Sequence, residues 1–193
     1  AYHVTGAIRL AHGRERLDEF RHITGMARHQ GIEFEMLGPS EIKSKYPFVE
    51  LEDLSGAQWD PYDGDIDPAQ LTQAFAKAAR DAGARIFRFC PVTGISRSPS
   101  GEWRVETSQG ILTAEVVVNA AGYRADEIGT MVGREVPNVA MSHQYLVTEP
   151  APELEERQKQ GLPEVAVLRE SDASSYMREE RQGFILGPYE KGA

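Results

Sequence analysis

Val116-Val117-Val118 is a continuous β-branched run, and Asn119-Ala120-Ala121-Gly122 stops it at once. A strand covered on both faces reads this way, because neither face is left to polar residues. The small-residue turn behind it lets the backbone approach a ligand closely, since Gly122 has no Cβ. In open parallel sheets, ligands bind beyond the carboxyl ends of the strands. The same run also describes an ordinary core strand with a tight turn, so both readings stand at this point.

The rest of the pattern supplies elements around it. Val4–Ala11 alternates as a strand, and Gly13–Gln30 follows with Leu17, Phe20, Ile23, Thr24 and Ala27 at helical spacing. Gly31 ends that helix as a left-handed cap would, and His22 and His29 on it read as solvated or packed. Glu33–Leu37 is a short strand. A short helix opens at Pro39 and stops before Pro47, because the residue ahead of a proline resists the helical region. Leu54–Trp59 is a further strand. The helix Pro68–Ala82 carries Leu71, Ala74, Phe75, Ala78 and Ala82 on one face, and Gly83 turns it into a strand Arg85–Phe89. Pro91–Ser98, Trp103–Ser108 and Ile111–Asn119 form a meander with turns at Ser98–Gly101 and Ser108–Gly110. A helix over Tyr123–Gly133 leads to a strand Met141–Thr148, on which His143, Tyr145 and Val147 share one face. Pro150–Gln160 is a charged surface segment. Val165–Leu168, Ser174–Arg178 and Phe184–Leu186 are strands, the last two joined by a hairpin turn at Arg181-Gln182-Gly183.

Composition narrows the partners. The 193 residues carry 21 Lys and Arg against 30 Asp and Glu, a net charge of −9. Such a chain is a poor match for nucleic acid or an anionic membrane surface, and no apolar stretch reads as a membrane span. Cys90 is the one cysteine, which excludes an internal disulfide and fits a reducing compartment. The chain opens Ala1-Tyr2-His3 without Met and stops at Lys191-Gly192-Ala193, so it reads as an internal piece of a longer protein.

Candidate chemistry is sparse. Asp60–Pro68 holds four Asp in nine positions, but without the EF-hand spacing or its closing Glu. A turn, with Asp67 capping the helix that opens at Pro68, explains it. Five histidines without a Cys/His cluster give no zinc pattern, and no metal is expected. There is no phosphate-binding glycine loop and no serine nucleophile elbow. What remains is His143 and Tyr145 on one strand, Tyr176 and Arg178 on another, and Tyr189 at the end of a third. An imidazole suits proton transfer near neutral pH, and a tyrosine suits orienting it. The plain alternative is a half-buried polar strand face.

These stretches together resemble the FAD-dependent amine oxidoreductases of the D-amino-acid oxidase superfamily, in particular the dimethylglycine dehydrogenase/oxidase and sarcosine dehydrogenase group. The resemblance rests on Gly6–Ala11 (GAIRLA), Gly64–Pro68 (GDIDP), Gly83-Ala84 with Val92, Val116–Tyr123 (VVVNAAGY), Met131–Gly133 with Val136-Pro137, Ser142–Glu149 (SHQYLVTE), Ser175–Glu179 (SYMRE) and Leu186–Glu190 (LGPYE). VVVNAAG recurs throughout that superfamily, whereas the ordered set with HQYLVTE and GPYE is far more specific.

The resemblance implies an α/β plus α+β fold. Part of a Rossmann-like FAD-binding domain, over 64–135, joins an antiparallel-sheet substrate domain built from 1–63 and 136–193. It implies FAD as cofactor, held by Val92 and by the turn Ala121, Gly122 and Tyr123. It assigns His143 and Tyr176 to catalysis, and Tyr145, Tyr189 and Arg178 to the substrate side. Arg178 is read either as a partner for a substrate carboxylate or as a structural arginine. The implied activity is oxidation of a small N-methyl amine such as dimethylglycine or sarcosine to an iminium. Either oxygen or an electron-transfer flavoprotein is the implied acceptor, and tetrahydrofolate belongs to a downstream part. The dinucleotide glycine motif and the flavin-attachment histidine belong upstream, so this stretch alone is expected neither to hold FAD tightly nor to turn over. The alternatives are a D-amino-acid oxidoreductase and, from another class, a non-catalytic scaffold resembling the regulatory subunit of pyruvate dehydrogenase phosphatase.

Overall fold

The computed structural model describes residues 2–189. Two compact units are present, Ala1–Gln73 with His143–Ala193, and Ala74–Ser142. The resemblance implies limits at 63/64 and 135/136, and the units divide at 73/74 and 142/143.

The first unit begins with β1 (Tyr2–His3), β2 (Ala7–Ala11), α1 (Arg14–His29), β3 (Glu35–Leu37), α2 (Pro39–Lys45), β4 (Gly56–Asp60) and β5 (Asp65–Ile66). Helix α3 (Pro68–Asp81) runs on into the second unit, which adds β6 (Val92–Arg97), β7 (Trp103–Thr107), β8 (Gly110–Ala114), a 3-10 turn at Gly122–Arg124 and α4 (Ala125–Met131). The chain then returns to the first unit with β9 (Leu146–Val147), α5 (Pro152–Lys159), β10 (Val167–Glu170), β11 (Ser175–Glu180) and β12 (Gly183–Pro188).

Seven strands of the first unit form one sheet in the order β3-β4-β2-β10-β11-β12-β9. All pairings are antiparallel except β2 with β10, where two stretches far apart in sequence run side by side. Alternation along the strands sends Ile8, Leu10, Leu37, Ala57, Trp59 and Leu168 to one face. There they form the core with Ile42 and Tyr46 of the α2 region, and Met177 and Phe184 pack against it. The opposite face is covered by α1 at one end. Gln58 Nε2 donates to Thr24 Oγ1 at 2.9 Å and to the Phe20 carbonyl at 3.3 Å, which satisfies a fully buried amide. Gly6 (φ +76°) cannot be replaced here, because a Cβ would lie 1.8 Å from the Trp59 ring.

In the second unit β6, β7 and β8 form the expected meander, with Ile95 buried. Asp67 caps α3 as read, its Oδ1 accepting from the Ala69 and Gln70 amides at 2.8 and 3.1 Å. Three expectations are corrected. Val116–Val118 is not a buried strand but carries no regular secondary structure, with Val116 74% and Val118 80% exposed. Arg85–Phe89 forms no strand either. The apolar face of α3 is uncovered, with no buried residue among those described and Phe75 68% exposed. The cause is common to the strands. A strand exists only as part of a ladder, and among the described residues no partner strand pairs with either stretch.

Candidate functional site

The site is built on β11 and β12. Met177 packs on the core and Glu179 is buried, its Oε2 accepting from the Val165 amide at 3.1 Å. The alternation of β11 therefore places Tyr176, Arg178 and Glu180 on the opposite face. Tyr176 is paired in register with Gly187 of β12. That glycine is the seat of the ring. A Cβ built on it would come within 2.3 Å of Tyr176 Cε1 and Cζ and 2.5 Å of its hydroxyl, so the phenol lies directly over bare backbone.

Two more rings complete a cluster. His143 stacks on Tyr189 with centroids 5.2 Å apart and planes at 22°, and it lies 6.5 Å and 25° from Tyr176. Tyr176 and Tyr189 are 5.5 Å apart. Aromatic pairs at these spacings attract beyond their area burial. The cluster is anchored at its far side, where the Tyr189 amide donates to the Ser174 carbonyl at 2.6 Å. Ser174 holds a left-handed φ of 55°, which turns the chain from β10 into β11 just ahead of Tyr176.

The remaining substrate-side residues, Tyr145 and Arg178, lie outside the ring stack itself. The expected strand Met141–Thr148 contracts to Leu146–Val147, so His143 and Tyr145 precede it. Tyr145 lines a neighbouring open groove of about 550 Å³ with Val147, Arg178, Glu180 and Ile185. Arg178 is engaged already. Its Nη1 lies 2.8 Å from Glu180 Oε2 and 3.8 Å from Asp65 Oδ1, and it donates to the Glu179 carbonyl at 2.9 Å. Both readings of Arg178 have to account for these partners. A substrate carboxylate would have to displace an ion pair already made.

Two residues not singled out in the sequence share the face of Tyr176. Arg169 is paired in register with Tyr176, and Arg9 with Arg169. The signal lay in the register, which becomes readable only once β10 is seen to extend to Glu170.

The β10–β11 connection is tied to the start of α1. His12 Nε2 lies 2.6 Å from Glu170 Oε2, and Arg16 Nη2 lies 3.0 Å from Asp172 Oδ1. The hydrogen bond to Glu170 raises the pKa of His12 above 6.5, against a smaller opposing effect of desolvation. Desolvation pushes Asp172 up, but the hydrogen bonds from Arg16 and the His12 amide outweigh it and hold the carboxyl below its usual value.

For a metal, His3, Asp65 and Glu164 bring ligand-type atoms within 4.8 Å of one another. His3 and Glu164 are exposed and paired at 3.1 Å, and the Arg178 guanidinium already faces Asp65, so the trio reads as a surface ion-pair network.

The turn expected to meet the cofactor lies in the second unit. Gly122 has φ +59°, and a Cβ there would meet nothing within 4 Å. Val92 and Ala121 are half-buried and Tyr123 is 69% exposed. Asn119 braces the turn, accepting from the Ala121 amide at 3.2 Å and donating to the Ala125 carbonyl at 2.8 Å. The turn is thus braced from within and open at Gly122.

The whole length of the chain matches a known class of protein. It belongs to the FAD dependent oxidoreductase family, whose pattern matches residues 1–193. It is 38% identical over 189 residues to mitochondrial dimethylglycine dehydrogenase of Rattus norvegicus, covering 98% of this chain and 22% of that protein. It is 36% identical over 193 residues to mitochondrial sarcosine dehydrogenase of Homo sapiens, covering 96% of this chain and 20% of that one. The chain thus spans about a fifth of the length of these relatives. The mitochondrial pyruvate dehydrogenase phosphatase regulatory subunit of Mus musculus is more distant, at 28% over 189 residues. The solved structure of L-proline dehydrogenase from P. horikoshii superposes with a TM-score of 0.81 at 24% identity, over 97% of this chain and 49% of that one, and shows the same fold. Among the described residues, no helix is long and apolar enough to cross a membrane.

Proposed function

We propose that this chain is the part of a flavin-dependent amine oxidoreductase that carries the substrate-facing sheet and one cofactor-facing turn, and that the substrate is an N-methyl amino acid of the dimethylglycine or sarcosine type. The observation that carries the reading is the stacked His143–Tyr189 pair beside Tyr176, set on one sheet face in a chain of the FAD dependent oxidoreductase family. Similarity to dimethylglycine and sarcosine dehydrogenases supports the substrate class.

Val92 and the backbone of Ala121, Gly122 and Tyr123 would hold the cofactor. Bound FAD supplies a two-electron acceptor for a hydride equivalent. The residues of this chain prepare the amine. An N-methyl amino acid is an ammonium at neutral pH, and its nitrogen lone pair must be freed before the methyl carbon can give up hydride. His143 takes that proton, and the stacked rings of Tyr189 and Tyr176 fix the imidazole plane while the Tyr176 hydroxyl orients the amine. Loss of hydride from the methyl carbon leaves the substrate as an iminium cation. The same reading passes the onward electrons to oxygen or an electron-transfer flavoprotein, gives tetrahydrofolate no residue of this stretch, and puts the protein in a mitochondrial matrix or bacterial cytoplasm.

The test is His143→Ala in the full-length protein, with dimethylglycine and sarcosine as substrates. Turnover falls by about 100-fold or more, the usual worth of a positioned acid–base group, and the acidic limb of the pH–rate profile changes. Unchanged turnover across pH would remove His143 from the mechanism.

A further inference from the structure

Resting on that reading, the place of the Tyr189 ring depends on a turn outside the cluster. Tyr189 follows the last residue of β12, and its amide donates to the Ser174 carbonyl at 2.6 Å. Ser174 is the last residue of the turn over 171–174, between β10 and β11. It holds φ 55°, a left-handed conformation that a non-glycine residue adopts at a cost. The turn relaxes unless something fixes it, and any relaxation moves the carbonyl that holds Tyr189.

Two carboxylates fix it. Glu170 Oε1 accepts from the Asp172 and Ala173 amides at 3.0 and 3.4 Å, and its Oε2 lies 2.6 Å from His12 Nε2. Asp172 Oδ1 accepts from Arg16 Nε at 3.1 Å and lies 3.0 Å from Arg16 Nη2, while its Oδ2 accepts from the His12 amide at 3.4 Å. The partners stand on the rigid part of the unit. His12 follows β2, and its carbonyl accepts from the Ser55 hydroxyl at 2.8 Å. Arg16 lies in the first turn of α1, the helix to which Gln58 of β4 is bound through Thr24 and the Phe20 carbonyl. The frame of the sheet and α1 thus reaches the turn through Glu170 and Asp172. Pairs as exposed as these add little to stability. Their effect is on where the turn sits, and so on where the Ser174 carbonyl points.

We propose that Glu170 and Asp172 are positioning residues for the amine oxidation: they hold the turn so that Ser174 keeps the Tyr189 ring stacked on His143. Neither belongs to the ring cluster, and both act through Ser174 and Tyr189. When the turn loosens, the Tyr189 ring tilts, and the imidazole that takes the amine proton loses its plane.

The test uses the full-length holoenzyme, with flavin absorbance and thermal melting as the checks that each variant is loaded and folded. Asp172→Asn keeps the size of the side chain and removes its charge. It lowers kcat for dimethylglycine by about 10- to 100-fold, the range for a reacting group misplaced by about 1 Å, and kcat/KM falls with it. Glu170→Gln gives the same pattern more weakly. Arg16→Gln loses the rate as Asp172→Asn does, and Arg16→Lys, which keeps a cation for Asp172, recovers part of it. A double-mutant cycle separates positioning from a general loosening of the fold. In a Tyr189→Leu background Asp172→Asn costs less than about 2-fold, because the ring it serves is gone. A second readout needs no turnover. In protein labelled with fluorotyrosine, the Tyr189 fluorine resonance, assigned by its loss in Tyr189→Phe, shifts in Asp172→Asn and in Arg16→Gln. Unchanged kcat in folded Asp172→Asn, or losses that simply add to that of Tyr189→Leu, would overturn the proposal. Where Asp172→Asn fails to fold, Arg16→Gln decides by the same readouts. A wild type that oxidises no N-methyl amine would bring down the proposed function, and an unmoved Tyr189 resonance would overturn the hold on the ring whether or not the protein turns over.

Discussion

Gly187 decides where Tyr176 sits, and this can be tested at a single atom. Any side chain there meets the phenol ring at 2.3 Å, so the ring must leave its seat or β12 must shift. Gly187→Ala therefore moves Tyr176 off the His143–Tyr189 stack. A displacement of about 1 Å at a positioned group costs on the order of 100-fold in rate, so kcat falls while the flavin spectrum and the fold persist. Normal kcat in a folded Gly187→Ala protein would separate Tyr176 from the chemistry. Part of this was legible beforehand. His143, Tyr176 and Tyr189 stand out as residue types suited to proton handling, but no strand alternation brings them together, because His143 precedes β9 and Tyr189 follows β12. Arg169 does not stand out, because the apolar run Val165–Leu168 ends one residue before it, while the strand continues to Glu170. The engagement of Arg178 by Glu180 depends on two neighbours on one strand face, and only the geometry shows it.

At the level of elements, the β10–β11 connection matters most, since it leads into Tyr176 and accepts the Tyr189 amide through Ser174. Its brace against the start of α1 titrates. His12 has a raised pKa, so its pairing with Glu170 stabilises the fold fully below the unfolded value of 6.5 and is lost as pH rises through the higher folded value. Asp172 is depressed, so its pairing with Arg16 is present above its unfolded value of 3.8 and is lost as pH falls through the folded one. The brace is complete between these limits. Melting curves of wild type and His12→Gln should differ below pH 6.5 and converge at alkaline pH. His12 is 42% exposed, so the difference stays below about 1 kcal/mol. Equal melting temperatures at every pH would show that the pair contributes nothing. Element reading failed where it relied on burial signals alone. Val116–Val118 has the composition of a strand covered on both faces, yet the ladder that would make it one is not formed by the described residues.

For the molecule as a whole, the family and fold were readable because the ordered set of short stretches constrains both ends of the chain at once. The first unit is assembled from two segments that meet at the parallel β2–β10 pair. That pairing brings the GAIRLA stretch beside the strand leading to SYMRE, and no local periodicity announces it. With a net charge of −9, the overall field does not attract anions, so an anionic ligand would have to be met by locally placed cationic groups. The claim that joins all three scales is that this chain faces an N-methyl amino acid across a flavin. The most direct measurement is the absorption spectrum of the full-length protein without oxygen, before and after dimethylglycine or sarcosine is added. A flavin band that bleaches with one of them is the predicted result. A protein that carries no flavin, or a flavin band that neither amino acid bleaches, would contradict the account and leave the fold as a scaffold.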